Sequence, residues 1–92
     1  MNNSLISRNV VVNGHRTSLR LEQVTWDALD DIANAEGLSV HEICSMVDVQ
    51  RVNSSRTSAV RTFILSYFRK AAMKAGGLPK SPDEKTLFQA NA

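Results

Sequence analysis

Three polar residues at alternate positions in one short segment have side chains that could form hydrogen bonds with a partner. In GHRTSLRLE, residues 14–22, they are Arg16, Ser18 and Arg20. Because side chains alternate between the two faces of a β-strand, a strand here would place all three on one face. That face is either a solvated surface or a surface directed at the base edges of a nucleic acid, and these residues alone leave both interpretations open.

The other residues that could do chemistry are few and scattered. Cys44 is the only cysteine, and neither His15 nor His41 lies at a metal-ligand spacing from it. The four glycines form no phosphate-binding loop, and no nucleophile, base and orienting acid stand in a recognisable arrangement. The sequence therefore predicts no metal, no cofactor and no enzymatic activity, and Cys44 is expected to be a small core residue.

The length of the chain limits what it can contain. With 92 residues, 42% of them hydrophobic, it predicts one small domain. A core of this size is marginal, and one cysteine cannot form an internal disulfide, so association with a second copy is the remaining source of stability. The N-terminal residues resemble no signal peptide, and no segment is long enough to span a bilayer, so a cytoplasmic protein is expected.

Charge is divided into three blocks along the chain. Residues 1–20 contain three arginines and no acid, residues 22–48 contain seven acids and no Lys or Arg, and residues 49–80 contain seven basic residues and no acid. A polyanionic partner would contact the two basic blocks if the acidic block faced away from it. Ordinary solvated helix faces would give the same pattern.

A tight turn is predicted at Asn13-Gly14, between two segments rich in β-branched residues. Either residues 10–12 fold back on residues 15–19 as a hairpin within one chain, or Gly14 marks a bulge from which an N-terminal arm bends away. The hairpin is favoured.

Three helices follow the turn. Apolar residues at three- and four-residue spacing from Trp26 to Ala33 predict an amphipathic helix that ends at Gly37. Ser39 and Glu42 form a capping box that begins a second helix, whose pattern fades by Gln50. A third helix is predicted from about Arg56 to Lys74, with a wide apolar stripe expected to lie in the core: Val60, Phe63, Ile64, Tyr67, Phe68 and Ala71.

Gly76-Gly77-Leu78-Pro79 is expected to end the third helix. In the tail that follows, SPDE could begin one short helical turn. The predicted organisation is an N-terminal arm over residues 1–9, a domain over residues 10–75 and a flexible tail over residues 76–92.

At this point the chain resembles a known family. RTSLRL, then WDALDDIANAEG, then LSVHEI are similar to the ribbon-helix-helix DNA-binding proteins, the Arc/MetJ-like superfamily, over about residues 15–50. The GHRTS start and the third helix are similar to a bacterial subfamily. The resemblance implies a mainly α fold with a short β-ribbon, formed as an intertwined homodimer in which each chain contributes one strand, together with an additional C-terminal helix.

The resemblance also implies the site. In this family the two-stranded ribbon enters the DNA major groove, where Arg16, Ser18 and Arg20 would contact bases. The N-terminus of the second helix, at Ser39, Val40 and His41, would hold a backbone phosphate, which suits its free amides and helix dipole. The expected function is a dimeric, sequence-specific transcriptional regulator, in the manner of a repressor, with double-stranded DNA as partner.

A second function remains open. The low net charge, Glu42 close to the phosphate site and the additional helix favour a protein-interaction or assembly module, including an antitoxin-like protein that binds a partner through residues 76–92. Basic residues on the third helix would then be a solvated face, whereas in a DNA-binding protein they could form a second backbone contact.

Overall fold

Two strands and three helices make up residues 4–77, the part of the chain that the computed structural model describes. Their order is β1 (Ile6–Val12), β2 (His15–Leu21), α1 (Gln23–Glu36), α2 (Val40–Gln50) and α3 (Arg56–Lys74). Most of the predicted tail and its possible SPDE turn lie outside the described residues. The predicted fold class, mainly helical with a two-stranded ribbon, is confirmed.

The two strands form an antiparallel hairpin within one chain. Its turn is at Asn13 and Gly14, whose φ angles of 51° and 85° suit a tight turn that glycine and asparagine tolerate. The register runs from Val12 opposite His15 to Ile6 opposite Leu21. The predicted hairpin is therefore observed, and it is longer than expected: β1 begins at Ile6, so residues 6–9, expected to be part of an arm, belong to the strand.

Helix α1 ends, and helix α2 begins, where their capping residues predict. Gly37 adopts a φ of 68° just after α1, and its amide donates to the Ala33 carbonyl. At the start of α2 the Glu42 amide donates to Ser39 Oγ at 3.0 Å, and the Ser39 amide donates to the Glu42 carboxylate at 2.9 Å. Both bonds of the capping box are thus present, and the short link between these helices is held at both ends.

The core lies between the inner face of the hairpin and the three helices. Trp26 is fully buried; its indole N–H donates to the Ile6 carbonyl at 2.8 Å and the Arg8 guanidinium lies 4.6 Å from the ring centre. Cys44 is buried in the same core, as predicted.

The prediction for the apolar stripe of α3 is only partly correct. Val60 and Ile64 are buried and Phe63 and Tyr67 pack against the core, but Phe68 and Ala71 are exposed. The reason is geometric: the second half of α3 extends past the elements that the first half packs against.

Helix α2 lies along the outer edge of β1 and bonds to its backbone. The Val11 amide donates to His41 Nδ1 at 2.9 Å, the Asn13 amide donates to Ser45 Oγ at 2.9 Å, and that hydroxyl donates to the Val11 carbonyl at 3.4 Å. The β1 edge of the hairpin is therefore covered at its turn end, whereas within residues 4–77 the other edge, along β2, has no strand beside it.

Candidate nucleic-acid interface

The face of the hairpin opposite the core is an exposed polar surface. In the register of the strands, Ser7 lies opposite Arg20, Asn9 opposite Ser18 and Val11 opposite Arg16. Residues opposite each other in an antiparallel pair share a face, and all six are exposed whereas the side chains between them are buried or half-buried. We call this surface the outer face: Ser7, Asn9, Val11, Arg16, Ser18 and Arg20.

The structure brings together the three residues predicted to contact bases and adds a neighbouring row from β1. Ser7 and Asn9 were not predicted, although the alternation of RNVVV and the register set by an Asn13-Gly14 turn could have indicated them. The Ser7 and Ser18 hydroxyl oxygens lie 2.6 Å apart across the strands. Each hydroxyl can donate or accept, so this pair offers hydrogen bonds to a base whichever way its protons point.

Most arginines of the described chain are occupied by acidic partners. Arg8 pairs with Asp30, and Arg61 with Glu22. Arg51 and Arg56 both donate to Asp48, at 3.0 and 2.8 Å. The basic and acidic blocks of the sequence thus partly neutralise each other inside the fold.

These pairs hold their carboxylates in the ionised form. A bond from its own backbone amide, then bonds from Arg61 and Thr25, lower the pKa of the Glu22 carboxyl below its usual value. A bond from Arg56, followed by one from Arg51, lowers the pKa of Asp48. The arginines in these pairs are therefore held by the fold at neutral pH and are poorly placed to serve a ligand.

The two arginines of the outer face differ from this group. Among residues 4–77, no acidic group lies within ion-pair distance of Arg16 or Arg20. The outer face therefore carries unneutralised positive charge in a row of hydrogen-bonding side chains. Asp30 of α1 pairs with the inward-facing Arg8, so this acid lies on the core side of the hairpin, opposite the outer face.

The N-terminus of α2 lies beside the hairpin, but its side chains are already bonded. Ser39 Oγ accepts from Glu42, and His41 Nδ1 accepts from Val11. The first amides of a helix have no partner within it, so the groups left for an anion are the backbone amides of Val40 and His41 rather than the side chains of Ser39 and His41.

The imidazole bond also fixes where this helix end lies. It joins His41 to Val11, an outer-face residue, so the amides of the first turn of α2 flank the hairpin at its turn end. A phosphate bound there would be close to a nucleic acid lying on the outer face.

No group of three or more His, Cys, Asp or Glu side chains within residues 4–77 is arranged to hold a metal ion. No helix in this part of the chain is long and apolar enough to cross a membrane.

Comparison with known proteins assigns the family. A model of the ribbon-helix-helix domain matches residues 5–68. No curated protein matches the chain. Among solved structures, an uncharacterized protein from Bordetella pertussis Tohama I is similar, with 28% sequence identity and a TM-score of 0.62 over 86% of this chain and 66% of that one.

The matched segment contains both strands, α1, α2 and most of α3. The family is a non-enzymatic DNA-binding fold, and the elements that define it here are the ones that build the outer face and place the N-terminus of α2 beside it. The chain belongs to the ribbon-helix-helix family.

Proposed function

We propose that this protein is a cytoplasmic, sequence-specific DNA-binding regulator whose outer face enters the major groove. The observation that carries the proposal is the pair of unneutralised arginines, Arg16 and Arg20, on an exposed two-stranded ribbon. The major groove admits such a ribbon, and each base pair there presents a distinct pattern of donors and acceptors.

The spacing of the arginines suits base readout. Four residues along a strand span about 13 Å, which is about four base-pair steps at 3.4 Å each. Arg16 and Arg20 would each donate two parallel hydrogen bonds to guanine O6 and N7, and Ser18 between them would bond to an intervening base. Asn9, opposite Ser18, has the amide that pairs with adenine N6 and N7.

We propose that two copies associate through the uncovered edges of β2. The turn end of the β1 edge is occupied by α2, so within the described residues β2 is the edge with no helix bonded to it. Antiparallel pairing of two β2 strands would give the two-stranded ribbon of the family at the centre of a four-stranded sheet. It would also place six candidate base-contacting side chains, three from each chain, in adjacent rows.

That pairing has an electrostatic consequence. With the strands fully overlapped about Ser18, Arg16 of one copy lies opposite Arg20 of the other. Like charges directly opposite in a sheet are destabilising, and a bound polyanion removes the repulsion. DNA is therefore expected to promote the dimer.

Phosphates would be held beside the ribbon. The amides of Val40 and His41 at the start of α2 offer two donors and the positive end of the helix dipole. Glu42 stands in the same turn, but its carboxylate is already engaged with the Ser39 amide. The phosphate contact is thus made by backbone groups and fixes the position of the ribbon on DNA.

The test is a selection of bound duplexes from random DNA, followed by titration of the best site and a scrambled duplex at two salt concentrations. The expected result is a motif with two-fold symmetry, bound at least about 10³-fold more tightly than scrambled DNA. Recovery of no motif, with weak binding that fades equally with salt on every duplex, would leave only attraction to phosphates and overturn the proposal.

A second candidate is a protein-interaction module with the same fold. Exposed apolar side chains on α3, among them Leu65 and Phe68, favour it. Co-purification of a protein partner whose binding requires residues 76–92, in the absence of any DNA motif, would support this alternative.

A further inference from the structure

An open groove of about 580 Å³ runs between the C-terminal end of α2 and one face of α3. Its floor is apolar, because it is lined by the buried Val47 and the half-buried Ala59 and Phe63. Residues 50–54 form one wall. The other wall is a row of polar α3 residues at four-residue spacing, which places them on one face of the helix: Ser58, Thr62, Ser66 and Lys70. We call this surface the α2–α3 groove.

The groove carries apolar and cationic side chains that nothing else in residues 4–77 covers or neutralises. Val52, across from the α3 wall, is 80% exposed. Lys70, at one end of that wall, is exposed and forms no salt bridge within residues 4–77, whereas Arg51 is already paired with Asp48. A matching occupant would therefore bring apolar side chains to the floor and negative charge to Lys70.

The chain leaves α3 on the side of this groove. The Gly77 amide donates to the Ala72 carbonyl at 2.6 Å, which closes the last turn of the helix. Gly77 lies against Met73, since a side-chain carbon at Gly77 would be 3.6 Å from the Met73 sulfur. Met73 follows Lys70 by three residues, so it lies on the same side of α3. Residues 78–92, outside the described part of the chain, therefore begin beside the groove.

Residues 78–92 contain the side chains that such an occupant needs. An acidic pair, Asp83-Glu84, is followed after two residues by an apolar pair, Leu87-Phe88. Lysines stand before and after the acidic pair. The charges are therefore complementary only when the acidic pair itself lies beside Lys70, which restricts how the segment can be placed.

The spacing of the two pairs agrees with the dimensions of the groove. The four residues from Asp83 to Leu87 cover about 13 Å in an extended chain. Phe63 precedes Lys70 by seven residues, which is about 10 Å along α3. With Asp83 beside Lys70, Leu87 therefore reaches the floor at Phe63. The connection is long enough, since the six residues from Gly77 to Asp83 can span about 20 Å and Lys70 is about 10 Å back along the helix.

We propose that residues 78–92 fold back along α3 and occupy the α2–α3 groove of their own chain. The apolar pair Leu87-Phe88 would cover the floor, and the acidic pair Asp83-Glu84 would lie beside Lys70. The segment would thus be part of the domain. None of the residues that line the groove belongs to the outer face, so this contact is independent of the proposed DNA binding.

The test uses backbone amide spectra and order parameters of the isotopically labelled full chain. In the unaltered protein the order parameters of residues 83–88 are expected near the value of about 0.85 that rigid backbone shows. Leu87→Ser together with Phe88→Ser is expected to lower them below about 0.6. The same double variant is expected to shift the amides of the groove and to leave those of the outer face in place.

Charge variants test the placement of the acidic pair. Lys70→Glu is expected to lower the same order parameters, whereas the matched Arg69→Glu, one residue away and outside the groove, is expected to leave them unchanged. Lys70→Glu combined with Asp83→Lys and Glu84→Lys restores opposite charges and is expected to restore the order.

Several results would overturn the proposal. Order parameters below about 0.6 in the unaltered chain would leave the groove open to a separate partner. Groove amides that do not move in the Leu87→Ser, Phe88→Ser variant, equal effects of the Lys70 and Arg69 variants, or no rescue by the triple variant would mean that the segment lies elsewhere. Order that is lost on dilution would mean that another copy supplies the segment.

Discussion

Replacing Arg20 with alanine should reduce affinity for the selected DNA site far more than affinity for scrambled DNA. The side chain is exposed, forms no ion pair within residues 4–77 and lies on the outer face two residues from Ser18, the centre of the proposed ribbon. One bidentate arginine–guanine contact discriminates by about 1–3 kcal/mol. A two-fold dimer presents two such contacts, so the loss is about 2–6 kcal/mol, or about 30-fold to 10⁴-fold in Kd.

The fold should be unaffected by this change. Because Arg20 makes no bond within the described chain, the free energy of unfolding is expected to change by no more than about 0.5 kcal/mol. Chemical denaturation of both proteins checks this before any binding result is interpreted.

Two further variants separate base readout from charge. Arg20→Lys keeps the charge but loses the planar fork, so it should retain binding to scrambled DNA while losing most of the discrimination. Lys74→Ala removes one exposed cation at the end of α3, which forms no salt bridge within residues 4–77, and should leave discrimination unchanged. Equal losses on the selected and scrambled duplexes for Arg20→Ala would instead mean that Arg20 contacts only phosphates and reads no base.

Three other predictions concern the fold and its assembly. Trp26→Ala removes a fully buried ring and its bond to Ile6, and is expected to lower the free energy of unfolding, measured in denaturant, by about 3–5 kcal/mol. Val24→Ala, on the exposed side of the same helix, should change it little, and similar effects of the two variants would contradict the packing described. Burial raises the pKa of the Cys44 thiol from 9.0 to about 11, so as pH rises the thiol of the unfolded chain ionises first. The stability that the neutral buried thiol contributes, up to about 3 kcal/mol, is complete below pH 9 and should be lost between pH 9 and pH 11. This alkaline loss should be absent in Cys44→Ala, and an identical alkaline profile for both proteins would count against it. Ser18→Cys, at the middle of β2, should form a disulfide-linked dimer under mild oxidation, whereas Ser66→Cys on α3 should not. A Ser18→Cys protein that stays monomeric, or equal cross-linking of the two variants, would argue against pairing through β2.

Local patterns predicted the elements well because the signals are themselves local. The helical period predicted the bounds of α3, Arg56–Lys74. Gly37 marked the end of α1, and the Ser39 capping box marked the start of α2. Asn13 and Gly14 likewise specify the turn between the strands, because both tolerate the positive φ angles that it requires. Each of these depends on residues within a few positions of one another, where propensity and hydrogen bonding act directly.

The details of the site depended on how the elements pack, and sequence patterns were weaker there. Arg61 and Glu22 are 39 residues apart, and they form an ion pair only because α3 packs beside α1. This pair leaves Arg61 less available to a ligand. The bond from Val11 to His41 spans 30 residues in the same way. Phe68 shows the opposite error: its spacing matched the core stripe, but no element within residues 4–77 covers its side chain.

The DNA-binding surface can be mapped with backbone amide spectra of isotopically labelled protein, recorded with and without the selected duplex. The largest shifts are expected on the outer face, at Ser7, Asn9, Arg16, Ser18 and Arg20, and on the amides of Val40 and His41. Shifts concentrated on α3, with the hairpin unchanged, would contradict the account and place DNA on another surface of the molecule.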